Sequence, residues 1–253
     1  MYQNLGFGIK IMYLIKPNQR FEKLDPNSFF YDNELAGRTE VFRYGFPEQA
    51  LIAWVYENFA DSTKNFIDIG ANVGSWTIGL AAHFKHSYAF ECNKSTFHCL
   101  CANMCLRGLS AKVDTFQMGL GAETGTLTFY HRGGVGSGSD GFAYLGDQLD
   151  SDRANEEELK VRKLDDFELT NIGLIKIDVE GYELEVLKGA VETLRHNDFP
   201  RFIFESWHAD RESDGRPAIR LRNKLFAFIR KLGYEIVPIT GYREIFLAKY
   251  VRK

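Results

Sequence analysis

The sequence predicts a single α/β domain built on a doubly wound, mostly parallel β-sheet with one antiparallel strand. From Asn65 onward, short apolar runs that suit buried strands alternate with segments whose apolar residues recur at helical spacing. Two strand-like segments then follow each other directly at the end of the chain, which predicts the antiparallel strand. With 253 residues, 45% of them hydrophobic and 26% charged, the chain is long enough to bury one full core.

The first half of the chain begins this alternation. An amphipathic helix is predicted after Pro47, because apolar side chains recur at Leu51, Trp54, Val55 and Phe59. The predicted elements that follow are a strand at 65–70, a helix at 75–84, a strand at 87–91, a helix at 94–107, a strand within 112–120 and a hairpin strand at 125–132.

The second half repeats the pattern after a long interruption. Its predicted elements are an extended segment at 159–167, an apolar strand at 172–178, a helix at 184–194, a strand at 201–205, a helix at 219–232 and final strands at 234–239 and 244–250. The domain therefore covers residues 1–253, with a preamble at 1–46 and a core at 47–253. A Gly-rich, then acidic insert at 131–158 is unusually long for a plain connection and is interpreted as a lid.

Charge and hydropathy exclude several kinds of partner. The formal net charge is −3, from 31 basic and 34 acidic residues, so the chain lacks the basic footprint of a nucleic-acid-binding protein. The apolar run at 5–15 is too short to span a bilayer and lacks the features of a signal peptide. These observations predict a cytoplasmic protein that binds neither nucleic acid nor membrane.

The four cysteines lie close together, at Cys92, Cys99, Cys101 and Cys105. Their spacing lacks the paired C-x-x-C pattern of a zinc site, and one short segment is a poor layout for disulfides. Phe97, Leu100, Cys101, Met104 and Cys105 instead follow the spacing of one helix face. The cysteines are therefore predicted to be buried core thiols rather than metal ligands.

The loop "DIGANVG" at 68–74 is predicted to bind a small cofactor, because it follows a buried parallel strand and precedes a helix. Gly70 and Gly74 permit a tight backbone and close approach of a ligand. A dinucleotide fingerprint needs glycines where this sequence has Asn72 and Ser75, and Asp68 would add negative charge beside a pyrophosphate. S-adenosylmethionine, which carries a carboxylate, an ammonium and a sulfonium, suits this loop better than NAD.

Several segments of the sequence resemble FkbM-type S-adenosylmethionine-dependent methyltransferases. The resemblance is carried by "FIDIGANVGSWTI", "AFE" ending at Glu91, "KLDDF" and especially "LIKIDVEGYELEVLKGA" at 174–190. It implies a seven-stranded, Rossmann-like class I methyltransferase fold and methyl transfer, commonly onto a hydroxyl oxygen. The implied acceptor is a sugar, a glycan or a small metabolite.

Cofactor-binding roles are predicted for residues at the ends of three strands. The methionine end of the cofactor is assigned to Asp68, Gly70, Ala71, Asn72 and Gly74. Glu91 ends the second core strand, where a carboxylate can accept hydrogen bonds from both ribose hydroxyls. Gln117 and Met118, at the end of the third core strand, are placed by position near the adenine.

Three residues are candidates for the general base that assists an alcohol in methyl transfer: Asp178, Glu205 and His208. Lys176, in the same apolar strand as Asp178, needs an anionic partner, which Glu205 or Asp178 can supply. Glu183 and Glu185 are predicted to be exposed at the start of the next helix. The site is predicted to hold no metal, with strand-end carboxylates binding Mg²⁺ as the alternative.

Two other functions remain open at this stage. The first is a non-catalytic S-adenosylmethionine-binding or scaffold protein, for which the acidic insert would bind a partner. The second is an NAD-dependent dehydrogenase. Titration with S-adenosylmethionine and with NADH distinguishes a dehydrogenase from a methyltransferase. Methyl transfer from labelled cofactor distinguishes a methyltransferase from the non-catalytic protein.

Overall fold

The computed structural model describes residues 29–33, 38–42, 48–131, 141, 155–207 and 215–251. The strands in these residues are β1 (Phe29–Asn33), β2 (Arg38–Phe42), β3 (Asn65–Ile69), β4 (His86–Glu91), β5 (Val113–Gln117), β6 (Gly119–Leu120), β7 (Gly125–His131), β8 (Asn155–Arg162), β9 (Ile172–Ile177), β10 (Arg201–Glu205), β11 (Tyr234–Pro238) and β12 (Ile245–Tyr250). The helices are α1 (Gln49–Phe59), α2 (Ser75–Leu80), α3 (Lys94–Leu106), α4 (Glu183–Lys188), α5 (Val191–His196) and α6 (Gly215–Lys231), with 3₁₀ turns at Ala81–His83 and Leu164–Phe167.

Within the described part of the chain, seven strands form the central sheet in the order β11-β12-β10-β9-β3-β4-β5. From β10 to β5 all neighbours are parallel, whereas β12 runs antiparallel to both β10 and β11. This architecture confirms the predicted α/β class and its single antiparallel strand. A smaller sheet, β6-β8-β7, and the β1-β2 hairpin of the preamble lie outside it.

Apolar side chains cover both faces of the central sheet. Ile67 and Ile175 belong to one buried cluster, whereas Phe66 and Leu174, one position away on the same two strands, belong to another. Successive residues of a strand point to opposite faces, so both faces are covered, as a doubly wound sheet requires. None of the helices in the described residues is long and apolar enough to cross a membrane.

Two elements that were predicted as continuous are divided in the structure. The predicted strand within 112–120 ends as β5 at Gln117, and the two residues of β6 pair with β8 instead. The predicted helix at 184–194 is two short helices separated at Gly189. A Cβ atom at Gly189 would lie 1.9 Å from the carbonyl oxygen of Gly121, so the chain passes too close to another backbone for an ordinary helical residue.

The prediction of buried core thiols is wrong for Cys105, which is exposed, and only partly right for Cys92, Cys99 and Cys101, which are half-buried. α3 instead buries Thr96, Leu100, Asn103 and Met104. The helix is turned this way because the Asn103 side-chain amide donates to the carbonyl oxygen of Val73, 2.8 Å away. None of the four cysteines forms a disulfide, and none belongs to a group of potential metal ligands in the described residues.

The insert interpreted as a lid lies largely outside the described residues. Its described residue between the two gaps, Gly141, is buried and exchanges two backbone hydrogen bonds with Tyr130 of β7. A Cβ atom on Gly141 would lie 3.2 Å from Cβ of Glu180. Gly141 therefore lies against the loop that follows β9.

Candidate functional site

A cavity of about 300 Å³ opens at the carboxyl ends of the parallel strands, at the low end of the usual range for small-molecule sites. It is lined by the loop after β3, the end of β4 and the residues that follow it, the segment after β5, and the end of β9. Ligands of doubly wound sheets bind at this edge. The structure thus brings together most of the site residues predicted from separate parts of the sequence.

The loop after β3 is anchored to the end of β4 and to α3. The backbone N–H groups of Gly70 and Ala71 both donate to the carbonyl oxygen of Phe90, at 3.0 and 2.9 Å. Asn72 has a left-handed backbone, with φ of 52°, and its side-chain oxygen accepts from the Val73 N–H. Gly70, Ala71 and Asn72 all line the cavity.

Two glycines of this loop are required by the protein's own packing. Gly70 has φ of +73°, and a Cβ atom there would lie 1.8 Å from the carbonyl oxygen of Asp178. Gly74 has φ of +96°, and its Cβ would lie 2.8 Å from Leu100. The groups that approach these glycines most closely belong to β9 and α3, and the approach of a ligand to Gly70, which lines the cavity, stays a prediction. Gly74 is also not among the residues that line the cavity.

Glu91 lies at the end of β4, as predicted, and is 8% exposed. One carboxylate oxygen accepts from the Asn72 N–H at 2.9 Å and the other from the Asn93 N–H at 2.8 Å. Burial raises the pKa of Glu91 to about 7, although these two backbone hydrogen bonds and the charge of Lys176 act in the opposite direction. Each oxygen can accept a further hydrogen bond from a ligand in the cavity.

The wall next to Glu91 is apolar. Phe90, Met118, Leu120 and Phe129 all line this part of the cavity. Met118 therefore lines the cavity, and its contact with the adenine stays a prediction. Gln117 does not line the cavity, because its side chain is exposed.

A buried lysine organises the β9 end of the cavity. Lys176 is 5% exposed and donates from Nζ to the carbonyl oxygen of Gly70 at 2.6 Å. The same Nζ lies 3.5 Å from Asp68 and 3.6 Å from Asp178. Burial alone would lower the pKa of Lys176, but the charges of Asp178, Asp68 and Glu48 outweigh it and raise that pKa. The predicted anionic partner is thus Asp178, joined by Asp68.

The direct cofactor contact predicted for Asp68 is corrected by its burial. Its exposed fraction is 0%, and it does not line the cavity. Its carboxylate accepts from the Thr77 hydroxyl at 2.6 Å and faces Lys176 in the neighbouring strand. Asp68 therefore holds Lys176 and α2 in place.

Three carboxylates converge after β9 and β10. Asp178, Glu180 and Glu205 each offer an oxygen within 4.8 Å of the other two, a geometry that can hold a divalent cation. Burial, followed by the charges of Asp178, Glu180 and Glu183, raises the pKa of Glu205 to about 10. At neutral pH the Glu205 carboxyl is therefore protonated and can donate a hydrogen bond. Asp178 and Glu180 line the cavity, whereas Glu205 does not.

Other residues near the site differ from the sequence interpretation. Glu183 is buried, not exposed, and accepts from the N–H groups of Val179 and Gly181. Its burial raises its pKa to about 7. His208 lies outside the described residues. Glu48 and Trp76 were not predicted, yet both line the cavity, and no local pattern in the sequence marks Glu48 as a site residue.

The known sequences to which this chain is similar are methyltransferases. The model of the methyltransferase FkbM domain matches residues 68–236. The chain is 30% identical over 146 aligned residues to Methyltransferase 1 of Beauveria bassiana (strain ARSEF 2860), covering 49% of this chain and 57% of that protein. It is 25% identical over 197 residues to the hexuronic acid methyltransferase AglP of Haloferax volcanii, covering 78% of this chain and 77% of that protein.

Solved structures share the fold at low identity. A crystal structure of methyltransferase FkbM from Methylobacillus flagellatus KT matches with a TM-score of 0.51 at 15% identity, covering 91% of this chain and 58% of that one. Precorrin-6y C5,15-methyltransferase from Geobacter metallireducens GS-15 matches with a TM-score of 0.51 at 13% identity, covering 90% and 97%. The chain thus spans somewhat more than half the length of the Beauveria relative and of the Methylobacillus structure.

Proposed function

The chain belongs to the FkbM methyltransferase family, and on that premise we propose that it uses S-adenosylmethionine to methylate a hydroxyl oxygen of a sugar, a glycan or a small metabolite. One observation carries the proposal: Glu91 and Asp178 line the same cavity from the ends of β4 and β9. A carboxylate that can bind the nucleoside and a candidate general base thus line the same cavity. The dehydrogenase alternative has no support from the family.

The residues of the cavity suit the chemistry of this cofactor. Glu91 keeps acceptor capacity on both oxygens for a ribose diol, and Phe90, Met118, Leu120 and Phe129 provide an apolar surface for a purine. The β9 end carries the carboxylates of Asp178 and Glu180, which favour a positively charged group. When bound, the cofactor supplies the methyl group from its sulfonium.

Asp178 is the residue we assign as general base. It lines the cavity, it is one-third exposed, and Lys176 holds its carboxylate from 3.6 Å away. It would accept the proton that the acceptor hydroxyl loses as the new carbon–oxygen bond forms. Glu205, protonated at neutral pH, would donate a hydrogen bond to this carboxylate and keep it oriented.

The acceptor class is supported by chemistry and by one relative. A base is needed for an unactivated alcohol, so the carboxylates beside the cavity favour oxygen as the methylated atom. The Haloferax volcanii relative, a hexuronic acid methyltransferase by name, favours a sugar. The rest of catalysis would come from positioning, since methyl transfer requires the two reacting atoms to lie in line.

Methyl transfer from labelled S-adenosylmethionine to sugars and to the small-molecule fraction of cell extract tests the proposal. Asp178→Asn should lower turnover by about 100-fold or more and leave the affinity for S-adenosylhomocysteine within about threefold, because it removes a base and no cofactor contact. Glu205→Gln should lose less than about tenfold, since an amide still donates to Asp178. Asp114→Asn, an exposed change at the opposite end of β5, is the matched control.

Four outcomes would change the assignment. An equal loss of turnover in Glu205→Gln and Asp178→Asn would make Glu205 the base, and loss of cofactor binding in Asp178→Asn would place the cofactor on β9. Abolition of turnover by EDTA would make the three carboxylates metal ligands. Binding of S-adenosylhomocysteine without methylation of any acceptor would favour the scaffold alternative.

A further inference from the structure

Glu48, at the start of α1, has a backbone conformation that is uncommon for a residue with a side chain. Its φ and ψ are 59° and 21°, in the left-handed region, which glycine adopts far more readily. Its carboxylate accepts a hydrogen bond from the indole nitrogen of Trp76 at 2.8 Å, and Trp76 is 4% exposed. The fold thus holds a strained residue in place with its carboxylate at the cavity wall. Two other non-glycine residues with positive φ, Asn72 and Glu180, line the same cavity, and such strain is common at functional sites.

The order of the strands locates Glu48 along the cavity. Glu91 and Met118 lie at the ends of β4 and β5, whereas Lys176 and Asp178 belong to the β9 end, on the other side of β3. Glu48 and Lys176 line the same cavity, and the charge of Glu48 acts on Lys176 at the β9 end, where it helps to raise the pKa of the lysine. A nucleoside whose ribose binds Glu91 would direct its 5′ substituent toward this end.

The β9 end of the cavity has an excess of negative charge among the described residues. Glu48, Asp178 and Glu180 line this end of the cavity together with Lys176, and Asp68 lies behind Lys176, so four formal negative charges and one positive charge leave −3. Asp68 is fully buried behind Lys176, and Asp178 already forms an ion pair with Lys176. The hydrogen-bond partner of Glu48, by contrast, is a neutral indole. A cationic ligand group would therefore gain most by binding Glu48.

We propose that Glu48 binds the α-ammonium group of the cofactor's methionine moiety, the end of the cofactor to which the sequence assigned Asp68. This inference rests on the proposed use of S-adenosylmethionine. It makes Glu48 a cofactor-binding residue supplied by the segment before the first core strand. Trp76 then acts as a positioning residue that holds the carboxylate from the first turn of α2.

Calorimetric titration with three ligands tests this assignment. The ligands are S-adenosylhomocysteine, its analogue without the amino group, and 5′-methylthioadenosine, which lacks the whole amino acid. Glu48→Gln keeps an oxygen that can accept from Trp76 but removes the charge. It should weaken S-adenosylhomocysteine binding by about 10- to 100-fold and leave the other two affinities unchanged. Glu57→Gln, the same change at an exposed position of α1, should alter none of the three.

The remaining outcomes overturn the inference in distinguishable ways. If Glu48→Gln weakens all three ligands equally, the residue only supports the cavity through Trp76. If it leaves S-adenosylhomocysteine binding unchanged, the ammonium binds elsewhere. If the unaltered protein binds none of the three ligands, the proposed function itself fails, and the assignment of Glu48 fails with it.

Discussion

At the scale of single residues, the site combines acids whose burial gives them different protonation states. Glu205 is protonated at neutral pH because burial and the charges of Asp178, Glu180 and Glu183 raise its pKa to about 10. Asp178 has the ammonium of Lys176 beside it at 3.6 Å. Neighbouring acids with separated protonation states are typical of acid–base sites, because one can donate while the other accepts.

Cofactor affinity should depend on pH through Glu91. Its pKa of about 7 means that the carboxyl is mostly protonated at pH 6 and mostly ionised at pH 8. Only the ionised form accepts hydrogen bonds from both ribose hydroxyls, so binding should be about tenfold weaker at pH 6 than at pH 8, in proportion to the ionised fraction. Titration with 5′-methylthioadenosine, which lacks the α-amino and α-carboxyl groups of the full cofactor, isolates this effect. Glu91→Gln should bind more weakly and lose the dependence on pH.

Glu183 provides the control for that experiment. Burial raises its pKa to about 7 as well, but it caps the turn after β9 and does not line the cavity. Glu183→Gln should keep the pH dependence of binding. A pH dependence that disappears in Glu183→Gln and persists in Glu91→Gln would contradict the assignment of the ribose to Glu91.

At the scale of elements, the loop after β3 and the end of β9 are built against each other. Lys176 donates to the carbonyl oxygen of Gly70, the Asp178 N–H donates to that of Ile69, and the missing side chain of Gly70 makes room for the backbone of Asp178. The two segments that resemble the family most specifically therefore form one unit. A change in the cofactor loop is expected to move the proposed base.

Gly70→Ala should show this coupling as a large loss of stability. The added Cβ would meet the Asp178 carbonyl oxygen at 1.8 Å in a backbone with φ of +73°. Gly108→Ala is the matched control, because Gly108 has φ of +66° but nothing within 4 Å of an added Cβ. Urea unfolding should give a cost of about 1–2 kcal/mol for Gly108→Ala and more than about 4 kcal/mol for Gly70→Ala. Equal costs would show that backbone conformation, rather than packing against β9, requires Gly70.

At the scale of the whole molecule, the last strand of the chain is an inner strand of the sheet, next to the edge strand β11. The family match ends at residue 236, within β11, yet β12 lies between β10 and β11 and pairs with both. β10 leads into Glu205, so β12 supports one side of the site from the far end of the sequence. Such pairing between distant segments is expected to make the fold cooperative and slow to form.

A charge placed on the buried face of β12 should therefore unfold the domain. Ala248 is fully buried and lies opposite Phe202 of β10. Ala248→Glu would bury an isolated carboxylate and should cost more than about 4 kcal/mol, measured by thermal or urea unfolding. Thr240→Glu, at an exposed position between β11 and β12, should change stability by less than about 0.5 kcal/mol. Cooperative unfolding of Ala248→Glu at the stability of the unaltered protein would show that β12 is dispensable.

The sequence by itself determined the strands of the central sheet, their alternation with helices, the position of the cofactor loop, and Glu91 and Asp178 as strand-end acids. These features depend on short-range patterns: apolar runs of strand length, helical spacing, and residues that directly follow a strand. Patterns of this kind also placed the antiparallel pair at the end of the chain. These patterns were least reliable where a distant part of the backbone packs against an element and interrupts it. The Gly121 backbone interrupts the predicted helix at Gly189 in this way.

Only the tertiary structure decided which acids reach the cavity and in what state. Lys176 contacts Gly70 across 106 residues of sequence, and Trp76 contacts Glu48 across 28, so neither contact has a local signature. Packing of distant elements buries Asp68 away from the cavity and raises the pKa of Glu205. It also fixes the face of α3 that is buried, which leaves Cys105 exposed. Exposure and electrostatic environment are properties of the assembled fold, because they depend on every group that packs around a residue and not on its neighbours in the chain.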